Sequence, residues 1–251
     1  MLTLERKTLI QNVLRRDGRI VAKSFAEELG VSEDTIRRDL RELAKDGLLQ
    51  RVHGGALPSS PAIADYHVRE QMASSAKEKL GRAAAGLIKP GQIVFLDGGT
   101  TNLQLARNLP PKLEATIITH SPSIAVELAQ HPSVEVELIG GRLFKHSIVS
   151  MGAASAEAIS GIRADLFFLG ATGIHPETGA TTGNREEAAI KRLIARQCAE
   201  TILVATQDKI GAASPYLILS LEEIATIVVD ADVPDKLLEQ YSVTGPAILK
   251  A

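Results

Sequence analysis

The first part of the chain has apolar residues at helical spacing. Leu4, Ile10 and Leu14 predict a first helix, and the run over residues 21–29 predicts a second that ends at a glycine. A third apolar-periodic segment, residues 32–46, follows after a tight turn. The order of two helices, a turn and a third helix is that of a helix-turn-helix unit.

The third predicted helix has two chemically different faces. Ile36, Leu40 and Leu43 share one face at about 100° per residue, and Ser32 can accept an amide hydrogen as the N-cap. The opposite side and its flank are mostly basic and carry Arg37, Arg38, Arg41 and Lys45. Such a face fits the major groove of DNA. The alternative is a merely solvated face, in which Asp34 pairs with Arg38 one turn later.

Residues 47–55 follow this helix as two short extended pieces separated by flexible glycines. This pattern predicts a wing that touches the nucleic-acid backbone beside the helix. The predicted DNA-contacting residues are Ser32, Glu33, Thr35, Arg37, Arg38, Arg41, Arg51 and His53.

The rest of the chain alternates between strand and helix patterns. A proline-punctuated linker over residues 58–65 precedes a helical stretch over residues 66–88. Predicted strands cover residues 92–96, 116–119, 134–139, 165–170 and 201–205, and predicted helices cover residues 101–108, 123–130 and 186–199. Short apolar strands between helices favour a mainly parallel α/β sheet covered on both faces.

Composition limits the partners and the compartment. The chain has 251 residues, a formal charge of −2 and 45% hydrophobic residues, enough for one large or two modest cores. Residues 1–57 hold 11 Lys and Arg against 9 Asp and Glu, whereas the remainder holds 17 against 21, so only the first part is slightly basic. The single cysteine, Cys198, and the lack of a signal or membrane-spanning pattern predict a cytoplasmic protein.

The predicted strands end in loops of similar chemistry, and ligands of open α/β sheets gather at such ends. These loops supply paired glycines, hydroxyls, an amide, an acid and a lysine, which suit a small, polyhydroxylated, anionic molecule. The loop residues are Asp97–Asn102, Thr119–Pro122, Gly140–Arg142, Gly170–Gly173 with Thr181–Glu187, and Thr206–Gly211. Taken singly, each loop can also be explained by turn geometry or helix capping.

The stretch GVSEDTIRRDLRELAKDGLLQRVHGGA, residues 30–56, closely resembles the N-terminal signature of DeoR-family bacterial transcription regulators. The later loops also resemble that family, and the matching positions are Asp97–Thr101, Gly140-Gly141, Phe168–Gly170, Asn184, Glu187, Lys209 and Gly211. The resemblance implies a sensor domain with a sugar-phosphate isomerase-like fold that binds a phosphorylated sugar. It also implies that Asp97 and the Thr100-Thr101 loop take the sugar hydroxyls and phosphate, with Lys209 as a second anion contact.

Together these features predict a winged helix-turn-helix domain over residues 1–57, a linker over 58–75, and an effector-binding, oligomerising α/β domain over 76–251. The predicted effector-binding residues are Asp97, Gly98, Gly99, Thr100, Thr101, Thr119, His120, Ser121, Gly140, Gly141, Asn184, Glu187 and Lys209. Family members commonly have Thr-Asn-Ser where this chain has Thr119-His120-Ser121. The identity of the effector therefore does not follow from the resemblance.

The predicted function is a DNA-binding regulator, a repressor of a carbohydrate-metabolism operon, controlled by a phosphorylated sugar or sugar acid. A homodimer or tetramer is expected because one reading head covers only a few base pairs. No cofactor, metal or membrane partner is expected, since the six histidines have no metal-ligand spacing. The alternative is a sugar-phosphate isomerase-like enzyme with Asp97 or Glu187 as base, although the turn over residues 170–174 lacks the carboxylate of such enzymes.

Overall fold

The computed structural model describes residues 2–59, 66–72, 74–243 and 245–251. The first unit is small and mostly helical, with a three-stranded antiparallel sheet in the order β1-β3-β2. Its elements are α1 (Thr3–Asp17), β1 (Ile20–Val21), α2 (Ala22–Leu29), α3 (Glu33–Lys45), β2 (Leu49–Val52) and β3 (Gly55–Pro58). This is the predicted winged helix-turn-helix, with α3 in the position of the recognition helix.

Local chemistry explains where α2 and α3 begin and end. Gly30 ends α2 in the left-handed region at φ 63°, which glycine adopts without strain. The Ser32 hydroxyl then accepts the Thr35 amide hydrogen at 3.2 Å, which confirms the predicted N-cap of α3. Ile36, Leu40 and Leu43 are all at most 2% exposed and pack against α1 and α2. The predicted apolar face of the recognition helix is therefore correct.

The second unit is built around seven parallel strands in the order β15-β14-β12-β9-β4-β5-β6. Its helices are α4 (Tyr66–Gln71), α5 (Ser74–Ala85), α6 (Thr100–Arg107), α7 (Pro122–Leu128), α8 (Ala153–Ser160), α9 (Arg185–Arg196) and α10 (Asp235–Ser242). The strands of the large sheet are β4 (Ile93–Leu96), β5 (Thr116–Thr119), β6 (Glu135–Leu138), β9 (Ala164–Leu169), β12 (Cys198–Ala205), β14 (Thr226–Val229) and β15 (Ala247–Lys250). The predicted parallel α/β architecture is confirmed.

Each face of this sheet has its own hydrophobic core. Phe95 and Phe167 point into one core, whereas their neighbours Leu96 and Phe168 point into the other. This alternation follows from the two-residue period of a strand, and a sheet buried on both faces explains the continuous apolar runs.

Adjacent strands β4 and β9 form a topological switch point. From β4 the chain winds outward through β5 and β6, and from β9 it winds the other way through β12, β14 and β15. Loops leaving β4 and β9 therefore diverge and leave a crevice at their carboxyl ends. The chain continues from β4 into Asp97 and Gly98, and from β9 into Gly170.

Several short elements were not predicted. A two-stranded sheet consists of β7 (Arg142–Phe144) and β8 (Val149–Met151), and a three-stranded sheet in the order β10-β11-β13 consists of β10 (Gly173–His175), β11 (Gly179–Thr182) and β13 (Tyr216–Leu219). The helical stretch predicted over residues 66–88 is divided into two helices and ends earlier than predicted. The segment contains α4 and α5, and α5 ends before Gly86, because glycine is a weak helix former and Pro90 cannot continue a helix.

Helices α5 and α6 meet without side chains between them at one point. A Cβ atom on Gly81 would lie 2.6 Å from the carbonyl carbon of Gln104, so only glycine permits this approach. The two helices therefore pack backbone against backbone.

Two earlier predictions stay open. The predicted linker covers residues 58–65, and its residues 60–65 lie outside the described residues. Strand β3 ends at Pro58 and α5 begins at Ser74, close to the ends of the predicted linker over residues 58–75. The exact domain boundaries remain a prediction. Among the described residues, no helix has the length and apolar character needed to cross a membrane.

Candidate functional site

The recognition helix α3 presents a basic surface to solvent. Arg38 and Arg41 are exposed, and neither makes an ion pair within the described part of the chain. Arg37 is also exposed and pairs with Glu33, one helical turn earlier, at 2.6 Å. An exposed pair of this kind contributes little to stability, so its arginine stays available for an anionic partner.

The other predicted DNA-contacting residues lie at the start of α3 and on the wing. The hydroxyl groups of Ser32 and Thr35 are 2.8 Å apart at the N-terminus of α3. Arg51 lies on β2 and His53 in the turn to β3, and both are exposed. All eight predicted residues therefore lie on α3 and the adjoining β2–β3 hairpin.

One acidic residue of α3 is buried. Asp39 is 1% exposed and forms an ion pair with Arg6 of α1, so it is not a counter-charge on a solvated face. A second Arg6–Asp39 hydrogen bond, from Nη2 to Oδ1, measures 3.2 Å. This pair joins α1 to the recognition helix.

The strand-end loops of the second unit enclose a cavity of about 300 Å³, called here the strand-end cavity. It lies at the β4–β9 switch point, and the loops after β4, β9 and β12 line it. Six predicted effector residues are in its wall: Gly98, Gly99, Thr100, Thr101, Glu187 and Lys209. Residues not predicted as contacts also line it, among them Arg69, Lys77, Asn102, Ser147, Lys191 and Thr206.

The first turn of α6 is suited to an anion. Gly99 is the N-cap residue with φ 120°, a conformation that favours glycine, and its missing Cβ leaves open space beside the turn. The amides of the first helical turn have no acceptors within their own helix. They and the partial positive charge of the helix terminus favour a negative group at this position.

Three buried polar atoms on residues of the cavity wall have no hydrogen-bond partner among the residues that the structure describes. These are Thr101 Oγ1, Asn102 Oδ1 and Thr206 Oγ1, on side chains that are at most 4% exposed. Buried polar groups are normally paired, because an unsatisfied one destabilises the fold by about 1–3 kcal/mol. Residues of the cavity wall thus carry polar groups that the described protein atoms do not satisfy.

Positive charge surrounds the same space. Lys77 and Lys191 lie in the wall, and the ammonium group of the half-buried Lys209 makes no hydrogen bond or ion pair with the residues that the structure describes. Burial lowers the pKa of Lys209 to about 8, since Asp208 only partly opposes the shift and Lys77 adds to it. Lys209 is therefore still mainly cationic at neutral pH.

Asp97 lies beneath the cavity, not in its wall. It is 0% exposed, and its carboxylate accepts the amide hydrogens of Gly98 and Gly170, both at 2.8 Å. His120 Nε2 at 2.8 Å and Lys191 Nζ at 3.0 Å complete its contacts. Burial alone would raise the pKa of Asp97, but Lys191 and His120 outweigh it and lower the value. The expected direct contact between Asp97 and a sugar does not fit this geometry.

The remaining predicted effector residues shape the framework. The Thr119 hydroxyl donates to Leu96 O at 2.7 Å and accepts from Ser121 N at 3.1 Å. A Cβ on Gly141 would lie 2.0 Å from Ser155 Oγ, and that hydroxyl donates to Gly140 O at 2.7 Å. These residues and His120 are outside the cavity wall.

A second cavity, of about 430 Å³, lies between the two units and is called here the interdomain cavity. Leu49 and Gln50 of the wing line it on one side, and Thr172 and Asn184 on the other. Asn184 also caps α9 by accepting the amide hydrogens of Glu186 and Glu187. Thr172 and Glu187 line both cavities.

The two units also touch directly. Ser59, just after the wing, forms an isolated parallel bridge with Ala213, and Arg19 Nη1 lies 3.1 Å from Glu177 Oε1. Ala213 belongs to the segment that follows Lys209, and the neighbouring Ser214 hydroxyl lies 2.7 Å from that of Thr172.

Some residues of the cavity could have been found from sequence and others not. Asn102 and Thr206 stand inside loops that the sequence singles out, whereas Lys191 carries only the signal of its i,i+4 spacing from Glu187. Within the described residues, no group of three or more His, Cys, Asp or Glu side chains is arranged to hold a metal ion.

Comparison with known proteins assigns a family to each of the two units. Residues 6–61 match the family model of the DeoR-like helix-turn-helix domain, and residues 72–231 match that of the DeoR C-terminal sensor domain. The HTH-type transcriptional regulator GlpR of Haloferax volcanii is 35% identical over 99% of this chain and 98% of its own. The glycerol-3-phosphate regulon repressor of Escherichia coli K12 is 30% identical, with 94% of each chain covered.

Among solved structures, ribose 5-phosphate isomerase A of Methanocaldococcus jannaschii aligns over 54% of each chain, with 16% identity and a TM-score of 0.41. The family models and the full-length relatives agree on a regulator, not an enzyme. The chain belongs to the DeoR family of transcriptional regulators.

Proposed function

We propose that this protein is a repressor whose affinity for operator DNA is controlled by a small phosphorylated sugar or sugar acid in the strand-end cavity. The observation that carries the proposal is the set of unpaired atoms on Thr101, Asn102 and Thr206 beside a helix N-terminus. A phosphate suits the amides, whereas hydroxyl groups suit atoms that can donate or accept.

The charges near the cavity favour an anion over a neutral sugar. Lys209 has no carboxylate salt bridge in the described residues, although Asp208 is its neighbour. An anion that binds beside it gains a charge-assisted hydrogen bond. The name of the E. coli relative, a glycerol-3-phosphate regulon repressor, supports a phosphorylated effector about as large as glycerol 3-phosphate.

An isomerase reaction has little support from the carboxylates. Asp97 lies beneath the cavity, and both of its carboxylate oxygens accept hydrogen bonds from protein groups. Glu187 accepts a hydrogen bond from Thr182 Oγ1 at 2.5 Å and lies 3.3 Å from Lys191 Nζ. A general base needs a free carboxylate within reach of the proton that it removes.

The structure offers a short route from the effector to DNA. Thr172 borders both cavities, contacts Ser214, and Ser214 follows the residue that bridges to Ser59 beyond the wing. A ligand that moves this segment changes the position of the wing.

The DNA-binding surface proposed here comprises α3 and the wing, and two copies of it are needed for useful specificity. We therefore propose a homodimer or homotetramer assembled through the sheet domain, acting in the cytoplasm where the operator is accessible. Light scattering that gives a monomer at micromolar concentration, with and without DNA, would contradict the assembly.

The decisive experiment is a thermal-shift screen in which each phosphorylated sugar or sugar acid is paired with its unphosphorylated counterpart. A ligand that binds only the folded state raises the melting temperature. We expect hits only among the anions, loss of the shift in Lys209→Ala, and an intact shift in Lys236→Ala, an exposed lysine of α10. Each hit should then change operator binding in a gel shift. A hit that is consumed without affecting DNA binding would contradict the regulator.

A further inference from the structure

His120 is completely buried and both of its ring nitrogens face acceptors. It follows β5, is 0% exposed, and lies edge-on to Phe95 with ring centroids 6.0 Å apart. Nε2 is 2.8 Å from Asp97 Oδ1, and Nδ1 is 3.0 Å from the carbonyl oxygen of Ser150. No water layer can lie between atoms at these distances.

The carbonyl oxygen of Ser150 has lone pairs and no hydrogen. The carboxylate of Asp97 is also purely an acceptor, since its other partners are two amide N–H groups and an ammonium. A neutral imidazole has only one N–H. In one of the two contacts, the lone pair of the ring nitrogen would therefore face a lone pair of the acceptor oxygen with no hydrogen atom between them. Two lone pairs that face each other at hydrogen-bond distance in a buried site repel, so each neutral tautomer is unfavourable.

We propose that His120 carries both ring protons and acts as a buried imidazolium that positions the floor of the effector cavity. It forms one charged cluster with Asp97, Glu187 and Lys191, called here the Asp97 cluster. Among the described residues, none of these four side chains forms an ion pair with a residue outside the cluster. Two carboxylates and one ammonium alone would leave a buried excess negative charge, whereas the imidazolium makes the cluster neutral. Buried charges persist only when paired in this way.

The Asp97 cluster holds two walls of the cavity together. The Asp97 carboxylate accepts the amide hydrogen of Gly98 after β4 and that of Gly170 after β9. His120 fixes the orientation of this carboxylate from below, and Lys191 also donates to Gly170 O at 2.7 Å. His120 does not line the cavity, so it is a positioning residue, and only its link to ligand affinity rests on the proposed function.

The protonation state can be read directly from nitrogen NMR of the full chain labelled with ¹⁵N-histidine. We expect both nitrogens of His120 to be protonated at neutral pH. His131 and His175 are internal references, because their Nδ1 atoms accept backbone amide hydrogens and must lack a proton. An unprotonated nitrogen at His120, as at those two residues, would overturn the proposal whatever the protein binds.

The positioning role is tested with His120→Gln, which keeps a polar side chain but not the charge. We expect the amide signals of Gly98 and Gly170 to shift, and inorganic phosphate to bind about tenfold more weakly, as expected for loss of a charge-assisted contact. His131→Gln is the matched control and should change neither. Parent-like glycine signals and phosphate affinity in His120→Gln would overturn the positioning role.

The same data separate this inference from the proposed function. If the parent protein binds no phosphate while His120 has both protons and the glycine signals respond to His120→Gln, the effector assignment fails and the imidazolium stands. If His120→Gln does not fold, the NMR spectrum of the parent protein still decides the protonation state.

Discussion

Arg6 and Asp39 form an ion pair whose side chains are 7% and 1% exposed, buried between α1 and the recognition helix. Replacing Arg6 with leucine leaves the Asp39 carboxylate buried without a partner. We expect Arg6→Leu to lower the free energy of unfolding by about 2 kcal/mol or more, measured by urea denaturation.

The matched control is Arg16→Leu, which removes an exposed pair with Asp17 and should have little effect. The double variant Arg6→Leu/Asp39→Leu should recover part of the lost stability, because two apolar side chains can fill the site. Equal stability of Arg6→Leu and the parent would show that the pair is not buried in solution.

The basic surface of α3 predicts a loss of DNA affinity on substitution. Arg38→Ala should weaken specific operator binding by about 1–3 kcal/mol if the guanidinium contacts a base edge, and less if it contacts phosphate. The operator fragment is first selected from a random pool, and binding is measured by fluorescence anisotropy. Arg196→Ala, an exposed arginine at the end of α9, is the control and should bind as the parent does.

The same experiment applies to Arg37, which is paired with Glu33 in the free protein. If neither Arg37→Ala nor Arg38→Ala changes the affinity while both proteins fold, α3 does not enter the groove.

The unpaired hydroxyls predict opposite effects on stability and binding. Thr101→Val and Thr206→Val each remove a buried hydroxyl without a partner, so we expect unchanged or higher melting temperatures. Both should bind the effector found by the screen more weakly, because a ligand hydrogen bond is lost. Isothermal titration measures this effect.

Thr119→Val is the contrasting control, since its hydroxyl is hydrogen-bonded to Leu96 and Ser121. It should lower the melting temperature. A destabilised Thr206→Val with parent-like ligand affinity would mean that its hydroxyl serves the fold.

The lowered pKa of Lys209 predicts how ligand binding depends on pH. Its ammonium is largely present below pH 8 and is lost as the pH rises through its pKa of about 8. An anion binds the charged form better, so affinity should fall above pH 8, with proton uptake on binding. Phosphate esters are fully ionised in that range, so their own titration does not interfere.

The pH profile of Lys209→Ala should be flat over the same range, whereas that of Lys236→Ala should follow the parent. A parent affinity that stays constant between pH 7 and pH 9.5 would remove Lys209 from the anion site.

Sequence patterns predicted what depends on local periodicity. The strand Thr116–Thr119 was predicted with its observed limits, and the cap at Ser32 was predicted from one side chain. Strands β7, β8 and β10 were missed because three residues give too few positions for a clear period, and β11 was missed because its sequence, Gly-Ala-Thr-Thr, has no apolar run.

The site was predicted only in part because its geometry depends on distant contacts. Asp97 was expected to touch the ligand, but its role is set by Gly170, 73 residues later in the chain, and by His120 and Lys191. No local pattern connects these residues. Four of the six predicted residues that line the cavity, Gly98 to Thr101, lie in the turn before α6 and in its first turn, where paired glycines followed by threonines already indicate a helix start with open amides.

The backbone contact at Gly81 has a mechanical consequence. Side chains between packed helices can change rotamer and absorb small displacements, but α5 and α6 have no such layer where Gly81 meets Gln104. Helix α6 begins at the turn that we propose binds an anion, and α5 follows α4 in the described part of the chain. We therefore expect the two helices to move together, so that a displacement at the first turn of α6 also displaces α5.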